Sequence, residues 1–142
     1  MNKTDWYANR ILWRVGKLHL DDYLWSNFSL LNAQAARALL QAMEMGEREI
    51  PLVVFWKNND KWTLLTNQYL RGRIDGAFNQ VSLDDISDVS TVNNKNIPPN
   101  DFKHEAEYFL VGKDKKIFWT PMGSPHFSLR NILAVFPLNA PA

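Results

Sequence analysis

Through the first 46 residues the hydrophobic positions recur at the helical period, and beyond Gly46 the period shortens toward two. Tyr7, Ile11 and Val15 stand four apart ahead of Gly16, with Thr4 and Asp5 placed to cap them, which predicts a first short helix. Leu20, Leu24, Trp25 and Phe28 resume the period after a polar break. The clearest helical signal is SLLNAQAARALLQAMEMGE. There Leu31, Ala35, Ala38, Leu39 and Ala42 form one stripe, Ser29 or Asn32 serves as a cap and Gly46 as a stop.

IPLVVFW, KWTLLT and YLRGRI read as three consecutive antiparallel strands, joined by the KNND turn and by a two-residue turn at Asn67 and Gln68. DGAFN marks another turn, and QVSLDDISDVSTV reads as one or two strands interrupted by Asp84, Asp85 and Asp88. NNKNIPPND, residues 93 to 101, has the composition of a long exposed loop. AEYFLVG and KIFWTPM then pair across a tight turn from Gly112 to Lys115. Ser124 and Pro125 open a last helix that puts Leu129, Ile132, Leu133 and Phe136 on one face, and Pro137 ends it. With no βαβ alternation and no internal repeat, the expected class is α+β. A helical lead-in, residues 1–46, packs on a strongly bent antiparallel sheet or partial barrel of six or seven strands. A C-terminal helix caps that barrel within residues 47–142.

Composition narrows the function classes. The 142 residues suit one domain with a real core, and 46% hydrophobic against 22% charged residues suits a compact one. Sixteen basic and 15 acidic side chains, mixed along the chain, leave a net charge of +1 and no broad field for a polyanion, which argues against nucleic acid. The absence of cysteine removes disulfides, thiolate nucleophiles and cysteine metal sites, and fits the cytoplasm. The most apolar run, residues 50 to 56, is far short of a bilayer span, and the charged start of the chain does not read as a signal peptide. A soluble cytoplasmic protein is expected.

Candidate chemistry is sparse. His19, His104 and His126 lie 85 and 22 residues apart and form no metal-spaced pair. Asp84, Asp85 and Asp88 lack the spacing of a calcium or magnesium loop and read as surface charge on an edge strand. No nucleophile elbow, phosphate loop or zinc-protease motif is present. The sequence therefore predicts no catalytic residue, no metal and no cofactor. Binding residues are another matter: Trp56, Lys57, Lys61 and Trp62 surround the first hairpin turn, and Arg71 and Arg73 follow on the next strand. Four basic groups converging beside two tryptophans would suit an anionic headgroup. The alternation of aromatic and basic residues instead predicts aromatics inward and charges outward. Trp6, Trp13 and Trp25 in the lead-in read as packing residues, or as an exposed anchor for a protein partner.

WTLLTNQYL (62 to 70), SLDDI (82 to 86), the strand pair AEYFLVG and KIFWT, and the closing helix over 125 to 136 together resemble bacterial pleckstrin-homology-like (PH-like) domains with a short helical lead-in. The likeness covers residues 47 to 137. It departs from the family's pattern where a basic pair is replaced by Gln68 and Tyr69, with Arg71 and Arg73 slightly later. The resemblance implies a seven-stranded, strongly bent barrel capped by a helix. That fold hosts lipid, peptide and protein binding alike, so it carries no function by itself. Small size, missing catalytic motifs and a binding-type fold point to a non-enzymatic module that engages another protein, in one form an immunity or inhibitor protein covering a toxin's active site. The alternative is peripheral attachment to anionic lipid through Lys57, Lys61, Arg71 and Arg73.

Overall fold

The computed structural model describes residues 2–86, 88–92 and 106–136. Four helices and seven strands follow in order: α1 (Lys3–Lys17), α2 (Trp25–Leu31), α3 (Ala33–Gln41), β1 (Pro51–Asn58), β2 (Lys61–Thr66), β3 (Tyr69–Ile74), β4 (Ala77–Ser82), β5 (Val89–Thr91), β6 (Tyr108–Val111), β7 (Lys116–Trp119) and α4 (Ser124–Leu133). Short 3₁₀ turns lie at Asp21–Tyr23 and Leu83–Asp85. The predicted loop over 93 to 101, His104 and Pro137 fall outside the described residues.

Helix α1 begins where the Asn2 side chain accepts a hydrogen bond from the Asp5 amide, two residues before Thr4, the expected cap. It runs through Gly16 to Lys17 and buries the predicted Tyr7, Ile11 and Val15. The third predicted helix departs further from expectation. Asn32 takes φ −133° and ψ 58°, outside the helical region, and divides the segment into α2 and α3. The break turns the stripe, so that α3 buries Ala36 and Leu39, with Met43 beyond its end, while Leu31, Ala38 and Ala42 stay exposed.

The strands form two antiparallel sheets and no closed barrel: β1-β2-β3-β4, and β5-β6-β7. Side chains alternate across β1 and β2. Val53, Phe55 and Leu65 enter the larger core, which also holds Phe109, Phe118, Tyr7, Ile11 and α4 residues Leu129, Ile132 and Leu133. Val54, Trp62 and Leu64 point the other way and pack with Leu39 and Met43 in a second core. The four-stranded sheet is thus covered on one face by the three-stranded sheet with α1 and α4, and on the other by α2 and α3. Each core draws on both sides of residue 46. Gly72 lets the sheets approach, since a Cβ there would lie 2.8 Å from Phe118 Cδ1.

The turns follow their local chemistry. Asp75 and Gly76 between β3 and β4 both have positive φ, 51° and 84°, as a tight hairpin of this twist requires. The turn at Asn67 and Gln68 is built differently. Thr66 Oγ1 accepts from the Gln68 and Tyr69 amides, and the buried Asn67 side chain accepts from Ile50 N and donates to the carbonyls of Arg48 and Thr4. One turn residue therefore ties β2 to the start of β1 and to the first turn of α1.

Candidate functional site

The residues singled out at the first hairpin do not converge. Lys57 is exposed, and Lys61 is half-buried with its ammonium donating to Tyr108 Oη at 2.8 Å. That hydrogen bond, acting against burial, raises the Lys61 pKa. Trp62 is buried in the second core, paired across the sheet with Trp56 on one side and Arg73 on the other. Aromatic and basic side chains therefore share a face, contrary to the expected division, because α2 and α3 cover the face that a bare sheet would expose.

Arg71 is only 4% exposed. Its guanidinium donates to both carboxylate oxygens of Glu49 at 3.0 and 2.8 Å, to Gln80 Oε1 at 2.7 Å and to the Glu44 carbonyl at 3.2 Å. The Glu49 side chain is fully buried. Burial alone would raise its pKa, but hydrogen bonds from Arg71, the Gly46 amide and Thr66, with the Arg71 charge, outweigh that and hold its carboxyl below the usual range. Arg71 is thus a structural cation locked to a carboxylate, and Arg73 is half-buried beside Trp62.

Histidine and aspartate chemistry is absorbed in the same way. His126 is fully buried, with Phe109 and Phe127 edge-on to its ring at 5.7 and 4.9 Å. Arg130 donates to Thr91 Oγ1 at 3.2 Å, and that oxygen is hydrogen-bonded to His126 Nε2 at 3.1 Å. The other ring nitrogen, Nδ1, is hydrogen-bonded to Thr120 Oγ1 at 2.7 Å. Burial, seconded by the Arg130 charge, lowers the imidazole pKa to about 4 and keeps the ring neutral. Asp84 is bound by the Tyr7 hydroxyl at 2.7 Å and by Lys3 Nζ at 2.6 Å, which fastens α1 to the turn after β4. Among the described residues no three His, Asp or Glu side chains are grouped to hold a metal ion.

What the fold leaves open lies at the α2–α3 corner. Trp25 and Phe28 turn inward, with ring centroids 5.6 Å apart and Phe28 6.0 Å from Trp56. Because Asn32 breaks the helix just after them, Leu30 and Leu31 are thrown outward and stand 81% and 80% exposed. Beside them runs a groove of about 790 Å³ between α3 and the first hairpin, lined by Leu31, Ala33, Ala35, Ala38, Trp56 and Asn59. Its walls hold no titratable side chain, only the amides of Asn32, Gln34 and Asn59. Trp56 Nε1 is buried there without a hydrogen-bond partner. Such a groove offers apolar contact and a few hydrogen bonds but no acid–base or nucleophilic group. Of the six sequence candidates Trp56 alone lines it, and Leu30 and Leu31 were read as ordinary helix positions.

Comparison with protein families, curated proteins and solved structures finds no match for the chain. Among the described residues no helix is long and apolar enough to cross a membrane.

Proposed function

We propose that the protein is a non-enzymatic binding module that takes a segment of another protein into the groove between α3 and the first hairpin. The observation that carries this reading is the exposure of Leu30 and Leu31, four-fifths open to solvent beside a groove lined by apolar and amide side chains. Adjacent leucines so exposed on a short helix contribute nothing to the fold, and contiguous apolar surface of this kind is characteristic of protein contacts. Alanines in its lining let a partner's backbone or side chains approach closely, and the amides of Asn32, Gln34 and Asn59 supply hydrogen-bonding groups. A four-stranded and a three-stranded antiparallel sheet followed by a helix seated in the shared core are in keeping with a PH-like architecture, which we retain as part of the proposal. The inhibitor form, a small protein seated on a toxin, is consistent with this site and makes the product of a neighbouring gene the first partner to try.

The test is affinity capture with the intact chain against Leu30→Asp/Leu31→Asp. Both side chains are exposed, so the variant should fold with an unchanged circular dichroism spectrum. The proposal expects a partner that the wild type holds and the variant releases. Equal retention by both proteins would place the interface elsewhere.

A further inference from the structure

Helix α1 carries a second unexplained surface, on the side away from its buried Tyr7, Ala8, Ile11 and Val15. Trp13 is 51% exposed and Leu12 beside it 44%. Three cations surround the Trp13 ring: Arg10 Cζ at 4.9 Å from its centroid, Lys17 Nζ at 5.5 Å and Arg14 Cζ at 5.8 Å. Among the described residues none of the three forms a salt bridge with a carboxylate. The nearest acids along the chain, Asp5 and the Asp21 and Asp22 pair, lie to either side of the cluster. Asp5 is two turns away, about 12 Å along the helix axis. Arg14 Nε is buried without a hydrogen-bond partner, although its charge stays beside the exposed ring.

Packing does not explain this arrangement, since half of the indole and much of Leu12 face water. We infer that this face of α1 docks on an anionic lipid surface, Trp13 entering the headgroup boundary while Arg10, Arg14 and Lys17 meet lipid phosphates. Tryptophan is favoured at that boundary because its ring is apolar and its N–H polar. Long basic side chains can lay their stems along the ring and keep their charges at headgroup level. The occupant is a surface rather than a pocketed molecule, because Arg10, Trp13, Arg14 and Lys17 lie along about two turns of one face of a helix. A base-stacking nucleic acid fits less well, since the guanidinium of Arg10 already sits over the ring. Attachment through three charges and one aromatic side chain is weak, reversible and sensitive to salt. The site is separate from the first hairpin and from the α2–α3 groove, and stands whether or not the groove binds a protein.

The experiment is sedimentation with vesicles of equal parts phosphatidylglycerol and phosphatidylcholine, against vesicles of phosphatidylcholine alone, at low ionic strength and at about 0.15 M salt. The wild type should pellet with the anionic vesicles only, and less at the higher salt. Lys17→Gln should weaken partitioning about fivefold, the loss of one basic contact at an anionic surface. Trp13→Ser should remove both pelleting and the part of tryptophan quenching caused by brominated acyl chains, whereas Lys57→Gln at the hairpin should change neither. Absence of pelleting by the wild type overturns the inference, as does pelleting unaffected by Trp13→Ser and Lys17→Gln. Pelleting without Trp13-dependent quenching also overturns it, since that would mark a general affinity for polyanions.

Discussion

Arg71 illustrates how a residue's type can mislead about its task. Basic and one strand from a hairpin turn, it reads as a surface cation, yet its guanidinium is buried on Glu49, 22 residues earlier in the chain. The energetics give an asymmetric prediction. Arg71→Met leaves a fully buried carboxylate without its counter-charge and should cost roughly 3–5 kcal/mol in urea denaturation, whereas Glu49→Leu/Arg71→Met should recover most of that loss. A double variant as unstable as the single one would show that packing around the guanidinium, rather than the charge pair, is what matters. His126 is the same lesson with the opposite charge state. Nothing near it in sequence announces Thr91, 35 residues away, or the two phenylalanine edges that enclose it. Its spacing from the other histidines shows only that none stands at a metal-ligand interval; its hydrogen bonds to Thr91 and Thr120 depend on contact between the sheet and α4.

Local chemistry and long-range ties share the work in the turns. Asp75-Gly76 and the turn from Gly112 to Lys115 are fixed by residues that tolerate positive φ, and both were legible in the sequence. Asn67 also reads as a turn residue, but its side chain serves the chain elsewhere, bonding Ile50, Arg48 and Thr4. Asn67→Ala would leave the Ile50 N–H without its acceptor and the Arg48 carbonyl without that donor, so a loss of roughly 1–3 kcal/mol is expected. The check is a lower urea midpoint with an unchanged m-value. The break at Asn32 was partly legible: Asn32 reads as one possible cap and does stand at the N-cap position of α3, but the apolar stripe from Leu31 onward ran across it. Only the packing of Trp25 and Phe28 on one side and of Leu39 on the other required two helices at different angles. With that break Leu31 leaves the predicted stripe for the surface, where Leu30 also lies, and the groove opens beside them.

For the molecule as a whole, the titrating groups that the fold perturbs mostly act in one direction. His126, lowered from 6.5 to about 4, contributes stability that is fully present above pH 6.5 and is lost as pH falls toward 4, because the unfolded chain binds its proton first. Glu49 and Asp84 are also lowered, so their contributions disappear at still lower pH as the carboxylates protonate. Lys61, raised, matters only at the alkaline end, where its contribution is lost as pH rises through the folded-state value. Urea denaturation followed from pH 7 to pH 4 should therefore show a fall in stability of which His126 accounts for roughly 3 kcal/mol. His126→Gln should flatten that part of the curve. A slope between pH 6.5 and 4 that survives the substitution would assign it to another group.

The sequence by itself determined the α+β class, the order of helices before strands before a last helix, and most turns. Each of those rests on side-chain periodicity or on backbone preferences that act over a few residues. The tertiary structure decided which face of each element is covered, and hence which residues of a suggestive type are free to bind. Trp62 and Arg71 are enclosed because helices lie on the outer face of the four-stranded sheet, while Trp13, Leu30 and Leu31 are open because, among the described residues, no element covers them. Exposure depends on contacts between segments tens of residues apart, and the period of a single element carries no record of what packs against it.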